Sequence, residues 1–141
     1  MSRYLLDTNI PSELSRERPD ARVVQWLRAQ AMATLFLSAI TIGEIRKGLV
    51  VIPEGRRRAE LQRWFHEELL MWFGGRILPV TSLIADRWGQ LDGECQLRGT
   101  PLKTADGIIA ATALEHQLTL VTRNVRDFVD LGVTILNPWE T

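Results

Sequence analysis

The chain has 141 residues, and its 17 Lys and Arg residues balance its 17 Asp and Glu residues, so the formal net charge is zero. A balanced charge excludes a strongly basic nucleic-acid coat protein and a polybasic membrane binder, but it permits a nucleic-acid enzyme with a local basic patch. The length predicts one domain over residues 1–141, since domains commonly have about 100–150 residues.

The cysteine content and the apolar segments indicate the compartment. The single cysteine, Cys95, excludes an internal disulfide and fits a reducing environment. We expect a buried structural thiol there rather than a nucleophile, because no second Cys accompanies it. The N-terminal segment lacks the pattern of a secretion signal, and no apolar run approaches the ~20 residues that span a bilayer. We therefore expect a soluble, cytoplasmic protein with no membrane partner.

Predicted strands and helices alternate along the chain. Short apolar runs predict strands, and apolar residues at spacings of three and four predict helices. The predicted strands are Tyr4–Leu6, Leu35–Ser38, Ile77–Val80, Leu118–Thr122 and Val133–Leu136, and Pro79 favours an edge position for the third. Helices are predicted from Pro11, from Asp20, over Thr41–Val51, Glu54–Phe73, Ser82–Arg98 and Thr104–Gln117, and briefly around Asp127. This alternation predicts a three-layer α/β domain with a central, mainly parallel sheet of about five strands flanked by helices.

Three carboxylates stand where this class of fold places its ligands. Asp7 follows the first strand, Glu44 lies early in the helix after the second strand, and Asp106 lies in the first turn of the helix KTADGIIAATALEHQ. Open parallel sheets bind ligands in the crevice at the carboxyl ends of their strands. We therefore expect the three side chains to converge there from separate elements.

Each carboxylate taken singly also has an ordinary structural explanation. An Asp before an Asn shapes turns, and helix N-termini favour acidic residues. Asp106 is the most informative, because it shares a helix face with Ile109, Ala110 and Ala113, and burying that face removes the carboxylate from water. Capping stays an alternative for Asp106 alone, whereas the three residues together favour a shared site.

The chemistry of such a cluster favours a divalent cation. Neighbouring carboxylates repel one another, and we expect no Lys or Arg reserved among them. Oxygen-only sites of high negative charge suit Mg²⁺, with Mn²⁺ as a substitute. These ions activate water and shield charge during displacement at phosphorus. We therefore predict metal-assisted phosphodiester hydrolysis, with Asp7, Glu44 and Asp106 holding the ion directly or through water.

A fourth contributor is expected in the segment TRNVRDF, after the strand LTLVT. Asn124 follows the strand end and is suited to hydrogen-bond a water on the ion, whereas Asp127 is either a helix cap or an outer carboxylate. We favour Asn124 in the pocket and Asp127 in a structural role. Thr8, Asn9 and Thr122 are supporting candidates that orient ligands or water, although each is equally typical of a turn or cap.

Four motifs in order resemble a known family. LLDTNI, TIGEIRKGL, TADGIIAATA and LVTRNVRDF, with NPW near the end, resemble PIN-domain ribonucleases, and most closely the VapC/FitB type of toxin from type II toxin–antitoxin modules. The resemblance spans nearly the whole chain. It implies a PIN-like fold, a Mg²⁺-dependent endoribonuclease with an RNA substrate, and a homodimer. It also implies a cognate antitoxin that blocks the acidic pocket and forms higher oligomers with the toxin.

Within this resemblance, Asp7, Glu44 and Asp106 match the acidic triad of the family. Members frequently have a fourth acidic residue after the fourth strand, where this chain has Asn124, so the number of ions stays open. Two alternative functions also stay open. One is a catalytically inactive PIN-like binding module, and the other is a structure-specific DNA nuclease, since this metal chemistry does not require a 2′-hydroxyl.

Basic and aromatic residues give two further hypotheses. The best local basic feature for RNA phosphates is formed by Arg46, Lys47, Arg56, Arg57, Arg58 and Arg63. A solvated helix face is the more common reason for such a run. The five Trp residues are expected mainly in core or dimer packing, and the very apolar segment around Trp72 suggests a surface for a second copy or for an antitoxin.

Overall fold

The structure, a computed structural model, describes residues 2–140 and contains one five-stranded sheet. The strands are β1 (Tyr4–Leu6), β2 (Leu35–Ser38), β3 (Ile77–Leu78), β4 (Thr119–Val121) and β5 (Ile135–Leu136). Their order is β3-β2-β1-β4-β5, and every neighbouring pair is parallel. The predicted sheet is confirmed, and β3 lies at an edge and ends before Pro79, which has no N–H to continue the pairing.

Helices fill the connections between the strands. The α-helices are α1 (Asn9–Leu14), α2 (Ala21–Arg28), α3 (Ala39–Val51), α4 (Arg56–Trp64), α5 (Leu70–Phe73), α6 (Ser82–Leu97) and α7 (Thr104–His116). A π-helical turn, Phe65–Leu69, joins α4 to α5, and 3₁₀ turns include Val125–Phe128 and Pro138–Glu140. Within residues 2–140, no helix is both long enough and apolar enough to cross a membrane.

Successive residues of the central strands enter two different cores. Leu5 packs in a cluster with Ile109 of α7 and Cys95 of α6, whereas Leu6 packs in a cluster with Val23 of α2 and with residues of α3 and α4. Both faces of the sheet are therefore buried, which explains why its strands are uninterrupted apolar runs. The three-layer arrangement is confirmed, and Cys95 is the buried thiol that was expected.

The segment Glu54–Phe73, predicted as one amphipathic helix, contributes most of its large apolar side chains to the core. Phe65, Leu69 and Phe73 follow one another at spacings of four, and all three are buried. Met71 and Trp72 face outward, with 75% and 46% of their surfaces exposed. The hypothesis of a partner surface therefore narrows from the whole segment to these two side chains.

Sheet register places polar residues side by side at the carboxyl edge. The backbone N–H of Asp7 donates to the Val121 carbonyl at 2.9 Å, and the Thr122 N–H donates to the Leu136 carbonyl at 3.0 Å. These bonds continue the strand pairing one residue beyond β1 and β4. On the neighbouring strand, Ser38 Oγ accepts from the Ile40 N–H at 3.2 Å, which caps α3 and starts it two residues before the predicted Thr41.

Candidate active site

One small cavity at this edge gathers the predicted carboxylates. We call it the acid cavity; its volume is about 220 Å³. Asp7, Glu44 and Asp106 all line it, although they come from the end of β1, from α3 and from α7. The other lining residues are Thr8, Asn9, Lys103, Ala105, Asn124 and Asp127.

Asp7 is the most constrained carboxylate of the acid cavity. Only 5% of its surface is exposed. Its Oδ2 accepts from the Thr122 hydroxyl at 2.7 Å and from Asn9 Nδ2 at 3.2 Å, and its Oδ1 accepts from the Thr8 N–H at 2.8 Å. Burial raises the pKa of Asp7 above its usual value of 3.8, and the bonds from Thr122 and Thr8 oppose that rise. The fold thus holds a buried carboxylate in one orientation.

Glu44 is anchored through Thr8. The Thr8 hydroxyl donates to Glu44 Oε1 at 2.5 Å and lies 3.1 Å from the hydroxyl of Thr41, one turn earlier on α3. The same threonine donates its backbone N–H to Asp7. Thr8 is therefore more than a turn residue, because it connects the carboxylate after β1 to the carboxylate on α3.

Asn9 and Thr122 tie Asp7 to the segment after β4. Asn9 Nδ2 lies 3.2 Å from Thr122 Oγ1 as well as from Asp7, and Asn9 Oδ1 accepts from the Arg123 N–H at 3.4 Å. Thr122 is completely buried. All three predicted supporting residues, including Thr8, thus contact Asp7 directly.

Asp106 lies in the first turn of α7, where Ile109, Ala110 and Ala113 of the same face are buried as expected. Burial, followed by the charges of Asp7 and other carboxylates, raises the pKa of Asp106 to about 6. Within the described residues, no side-chain hydrogen bond caps the N-terminus of α7. The first-turn position of Asp106 also agrees with the helix-dipole explanation, and its half-buried carboxylate adds negative charge to the acid cavity.

The segment after β4 places both of its candidates on the cavity wall. Asn124 donates its N–H to Thr122 Oγ1 at 3.0 Å, and Asp127 follows three residues later in the 3₁₀ turn Val125–Phe128. Residues three apart share one side of a 3₁₀ helix, so Asp127 joins Asn124 at the cavity. Both candidates therefore lie on the wall of the acid cavity, and the charge of Asp127 also raises the pKa of Asp7 and Asp106, while the structural role favoured for Asp127 stays a prediction.

Lys103 is a wall residue that the sequence argument missed. From the sequence we expected no Lys or Arg among the carboxylates. Lys103 nevertheless lines the acid cavity, and its charge opposes the rise in the pKa of Asp106. Among residues 2–140, none of the ion pairs involves the four cavity carboxylates, so Lys103 offsets their charge only in part. The sequence did contain a sign of this contact, because Lys103 lies three residues before Asp106, at the start of the same helix.

The basic run singled out in the sequence lies elsewhere. None of its six residues lines the acid cavity. Arg56 pairs with Glu60 at 3.1 Å, Arg57 donates to the Ser15 carbonyl at 2.9 Å, and an Arg46 nitrogen lies 2.9 Å from His66 Nε2. These contacts fit the structural explanation of the run.

The donor set of the acid cavity suits a hard divalent cation. It offers four carboxylates and the Asn124 amide, with no His or Cys on its wall. Within residues 2–140, however, no three acidic, His or Cys side chains are placed to hold one ion together. The residues fit an ion that contacts one or two carboxylates and keeps water in its other positions, which is common for Mg²⁺.

Known proteins are similar in sequence to this chain along almost its whole length. The PIN domain family matches residues 4–133. The chain is 40% identical over 136 residues to VapC ribonuclease Y4jK of Sinorhizobium fredii, covering 96% of this chain and 97% of that protein. It is 38% identical over 135 residues to Toxin FitB of Neisseria gonorrhoeae, again covering 96% and 97%.

Solved structures share the fold. The crystal structure of FitAcB from Neisseria gonorrhoeae matches with a TM-score of 0.91 and 38% identity, over 98% of this chain and 99% of that chain. A toxin–antitoxin complex from Klebsiella pneumoniae matches with a TM-score of 0.72 and 31% identity, over 96% and 97% of the two chains. The resemblance that the four motifs carry is thus confirmed, and this chain belongs to the PIN-domain family.

Proposed function

We propose that the chain is a divalent-metal-dependent endoribonuclease and the toxin of a toxin–antitoxin pair. The observation that carries the proposal is the convergence of four carboxylates on one small cavity at the carboxyl edge of a parallel sheet. The names of the relatives, a VapC ribonuclease and Toxin FitB, support RNA as the substrate and toxicity as the role.

The proposed cofactor is Mg²⁺, with Mn²⁺ as a substitute. Asp7, Glu44 and Asp106 would hold it, one or two of them directly and the rest through water, with Asn124 and Asp127 completing the wall. When bound, such an ion lowers the pKa of a water and stabilises negative charge that develops on a phosphate. Burial, and after it the charges of Asp7 and Asp127, raise the pKa of Asp106, and a bound cation would offset both effects by favouring the ionised carboxylate.

The residues of the chain supply position and charge. Thr122, Asn9 and the Thr8 N–H fix both oxygens of Asp7, and the Thr8 hydroxyl fixes one oxygen of Glu44. Because these partners are set before any ligand arrives, little reorganisation is needed at this wall during the reaction. Lys103 is the wall residue suited to contact a phosphate oxygen of the substrate.

The direct test is cleavage of a structured RNA by the purified protein with Mg²⁺. We expect cleavage that EDTA abolishes and that Asp7→Asn lowers by about 10²–10³, while Asp86→Asn, at an exposed acid on α6, cleaves normally. Attack by water should leave a 5′-phosphate and no 2′,3′-cyclic phosphate. Absence of cleavage with every divalent ion would favour the inactive binding module, and equal cleavage of the DNA version would favour the DNA nuclease.

The proposed partners are a cognate antitoxin and a second copy of the chain, with larger assemblies formed by both. The matched toxin–antitoxin complex supports the first partner. Exposed Met71 and Trp72 are the candidate contacts for either partner. Substitution of Trp72 by Ser should lower the oligomer mass or weaken antitoxin binding, and no change in either would remove this surface from the proposal.

A further inference from the structure

A second cavity adjoins the acid cavity, and most of its wall has no part in the chemistry proposed above. We call it the side cavity; its volume is about 420 Å³, and its wall includes Lys103, Asp106 and Asp127, which also line the acid cavity. The two cavities are therefore neighbours, on either side of these three residues. Pockets for small organic ligands measure about 300–1,000 Å³, so the side cavity has room for a nucleotide and the acid cavity does not.

The side cavity differs from the acid cavity in charge. Arg98, Lys103 and Arg126 line it, and beyond the two shared carboxylates it has Asp130 as an acid. Within residues 2–140, none of the three cations belongs to an ion pair. Phosphates of a nucleic acid bind where Lys and Arg replace their counterions. The side cavity thus sets three cations against three carboxylates, whereas the acid cavity sets one against four, so a phosphate next to the reacting one is repelled less in the side cavity and finds Arg98 and Arg126 there as donors.

The floor of the side cavity is apolar. Leu131 and Cys95 are buried beneath it, Leu102 is half-buried, and Val129 stands at its rim. Thr100 and Arg98 add donors beside these apolar groups. A nucleobase has apolar faces and polar edges, and proteins bind unpaired RNA bases by packing the faces and hydrogen-bonding the edges. An inorganic anion or an acidic peptide would leave the apolar floor uncovered.

We propose that the side cavity binds the nucleotide next to the bond that is cut, with Arg98 and Arg126 on its phosphate and the apolar floor against its base. This inference rests on the proposed ribonuclease function. It makes the side cavity the place where the enzyme selects one base beside the cleavage position. Selection then depends on the residues that line the side cavity alone, among them Arg98, Arg126 and Val129, and not on the acidic residues that line both cavities.

Two variants test the side cavity without touching the acid cavity. Val129→Trp fills the side cavity from its rim, where 56% of Val129 is exposed, and Val50→Trp is the matched control on α3, where 57% of Val50 is exposed. Arg98→Ala removes one cation, and Arg28→Ala is its control at the exposed end of α2. None of the four positions lines the acid cavity.

The assays are cleavage of a short oligoribonucleotide pool with randomised positions and hydrolysis of bis(p-nitrophenyl) phosphate, both with Mg²⁺. Val129→Trp and Arg98→Ala should lower kcat/KM for RNA by about 5- to 100-fold, which corresponds to about 1–3 kcal/mol of lost transition-state stabilisation. Val129→Trp should also change the base preference at one position beside the cut. Hydrolysis of bis(p-nitrophenyl) phosphate, which has no neighbouring nucleotide, should match that of the controls.

The outcomes separate this inference from the proposed function. If the wild type cleaves RNA while both side-cavity variants keep its rate and base preference, the side cavity is not a nucleotide site. If the wild type cleaves neither substrate, the proposed function fails, and binding of the same oligoribonucleotide then tests the nucleotide site by itself. Weaker binding by Arg98→Ala than by Arg28→Ala would support the site, and equal binding would overturn it. Weaker binding of the antitoxin, with RNA assays unchanged, would assign the cavity to the protein partner instead.

Discussion

The two sides of the acid cavity are built differently. On the inner side, Asp7 and Glu44 accept hydrogen bonds from Thr8, and Asp7 also from Thr122 and Asn9. On the outer side, Asp106 is partly exposed, and burial and neighbouring charges, rather than hydrogen bonds, determine its pKa. Hydrogen bonds hold the inner side, whereas no side-chain hydrogen bond within residues 2–140 holds the Asp106 carboxylate of the outer side.

This difference explains why the carboxylates converge without forming a ready-made metal cage. The described residues contain no group of three acidic, His or Cys side chains placed to hold an ion. A cation that binds the fixed inner carboxylate can draw the outer ones toward it, since they repel each other until it arrives. Variants on the two sides should therefore fail in different ways.

The largest expected effect is a difference in RNA-cleavage activity between variants on the inner and outer sides of the acid cavity. Asp7→Asn should lower kcat by about 10²–10³, the usual loss when a fixed electrostatic group is removed from a reaction site. Asp127→Asn, on the exposed outer side, should lose about 10- to 100-fold, as for groups that support a metal site indirectly. Single-turnover RNA cleavage at saturating Mg²⁺ measures both, and equal losses would erase the proposed distinction.

The second prediction weakens the inner side without removing its carboxylate. Thr122→Val deletes the hydroxyl that donates to Asp7 at 2.7 Å and should cost about 10- to 100-fold in activity or metal affinity. Because this bond lowers the pKa of Asp7, its loss raises that pKa. The acid limb of the pH–activity profile should then move to higher pH, since the carboxylate must be ionised to bind a cation.

The matched control for that variant is Thr112→Val. Thr112 is also completely buried, but its hydroxyl donates to the Ile108 carbonyl at 2.7 Å within α7. It should lose some stability while keeping the pH profile of the wild type. An identical shift in both variants would mean that the profile reports general destabilisation rather than the Asp7 carboxylate.

Much of the fold and the inner side of the site could be predicted from the sequence. Uninterrupted apolar runs identify strands buried on both faces, and a polar residue after each run identifies the edge where parallel strands place ligands. Asp7 and Thr122 follow such runs, and Asp106 heads a helix whose apolar face must pack on the sheet. For these residues the local apolar pattern and the rule that parallel sheets bind ligands at their carboxyl edge predict the same position.

The outer side could not be predicted in the same way. The sequence predicts the short helix around Asp127, and the 3₁₀ geometry of Val125–Phe128 brings Asp127 to the cavity, but the sequence did not decide between Asn124 and Asp127 as the fourth contributor. Lys103 lies in the connection before α7, where the direction of a side chain depends on how the helix packs. Both uncertain positions lie in short connecting segments, which also supply most of the side cavity.

A third prediction separates charge from stability on the outer side. The folded state raises the pKa of Asp106 from 3.8 to about 6. The protonated form is thus favoured by folding, and its stabilising contribution is complete below about 3.8 and is lost as the pH rises through about 6. Asp106→Asn should therefore match the wild-type Tm in acid and exceed it at neutral pH in EDTA, with each ~1 kcal/mol of relieved repulsion worth about 2–8 °C.

The same variant should respond less to Mg²⁺. A ligand that binds only the folded state raises Tm according to its affinity, and Asp106→Asn lacks one of the carboxylates proposed to hold the ion. Differential scanning fluorimetry with and without Mg²⁺ measures both effects. A large loss of Tm in EDTA would instead make Asp106 a structural residue of α7.

The smallest expected effect concerns the single cation on the wall. Lys103→Met should raise the pKa of Asp106 further, because the positive charge of Lys103 opposes the rise that burial and the other carboxylates cause. Lys47→Met, an exposed lysine on α3 outside the acid cavity, should leave that pKa unchanged. Titration of the Asp106 carboxyl carbon by NMR in EDTA measures the difference. An unchanged pKa of Asp106 in Lys103→Met would show that solvent already screens the charge of Lys103. Repulsion between Asp106 and the other carboxylates would then be relieved by a bound cation and not by this lysine.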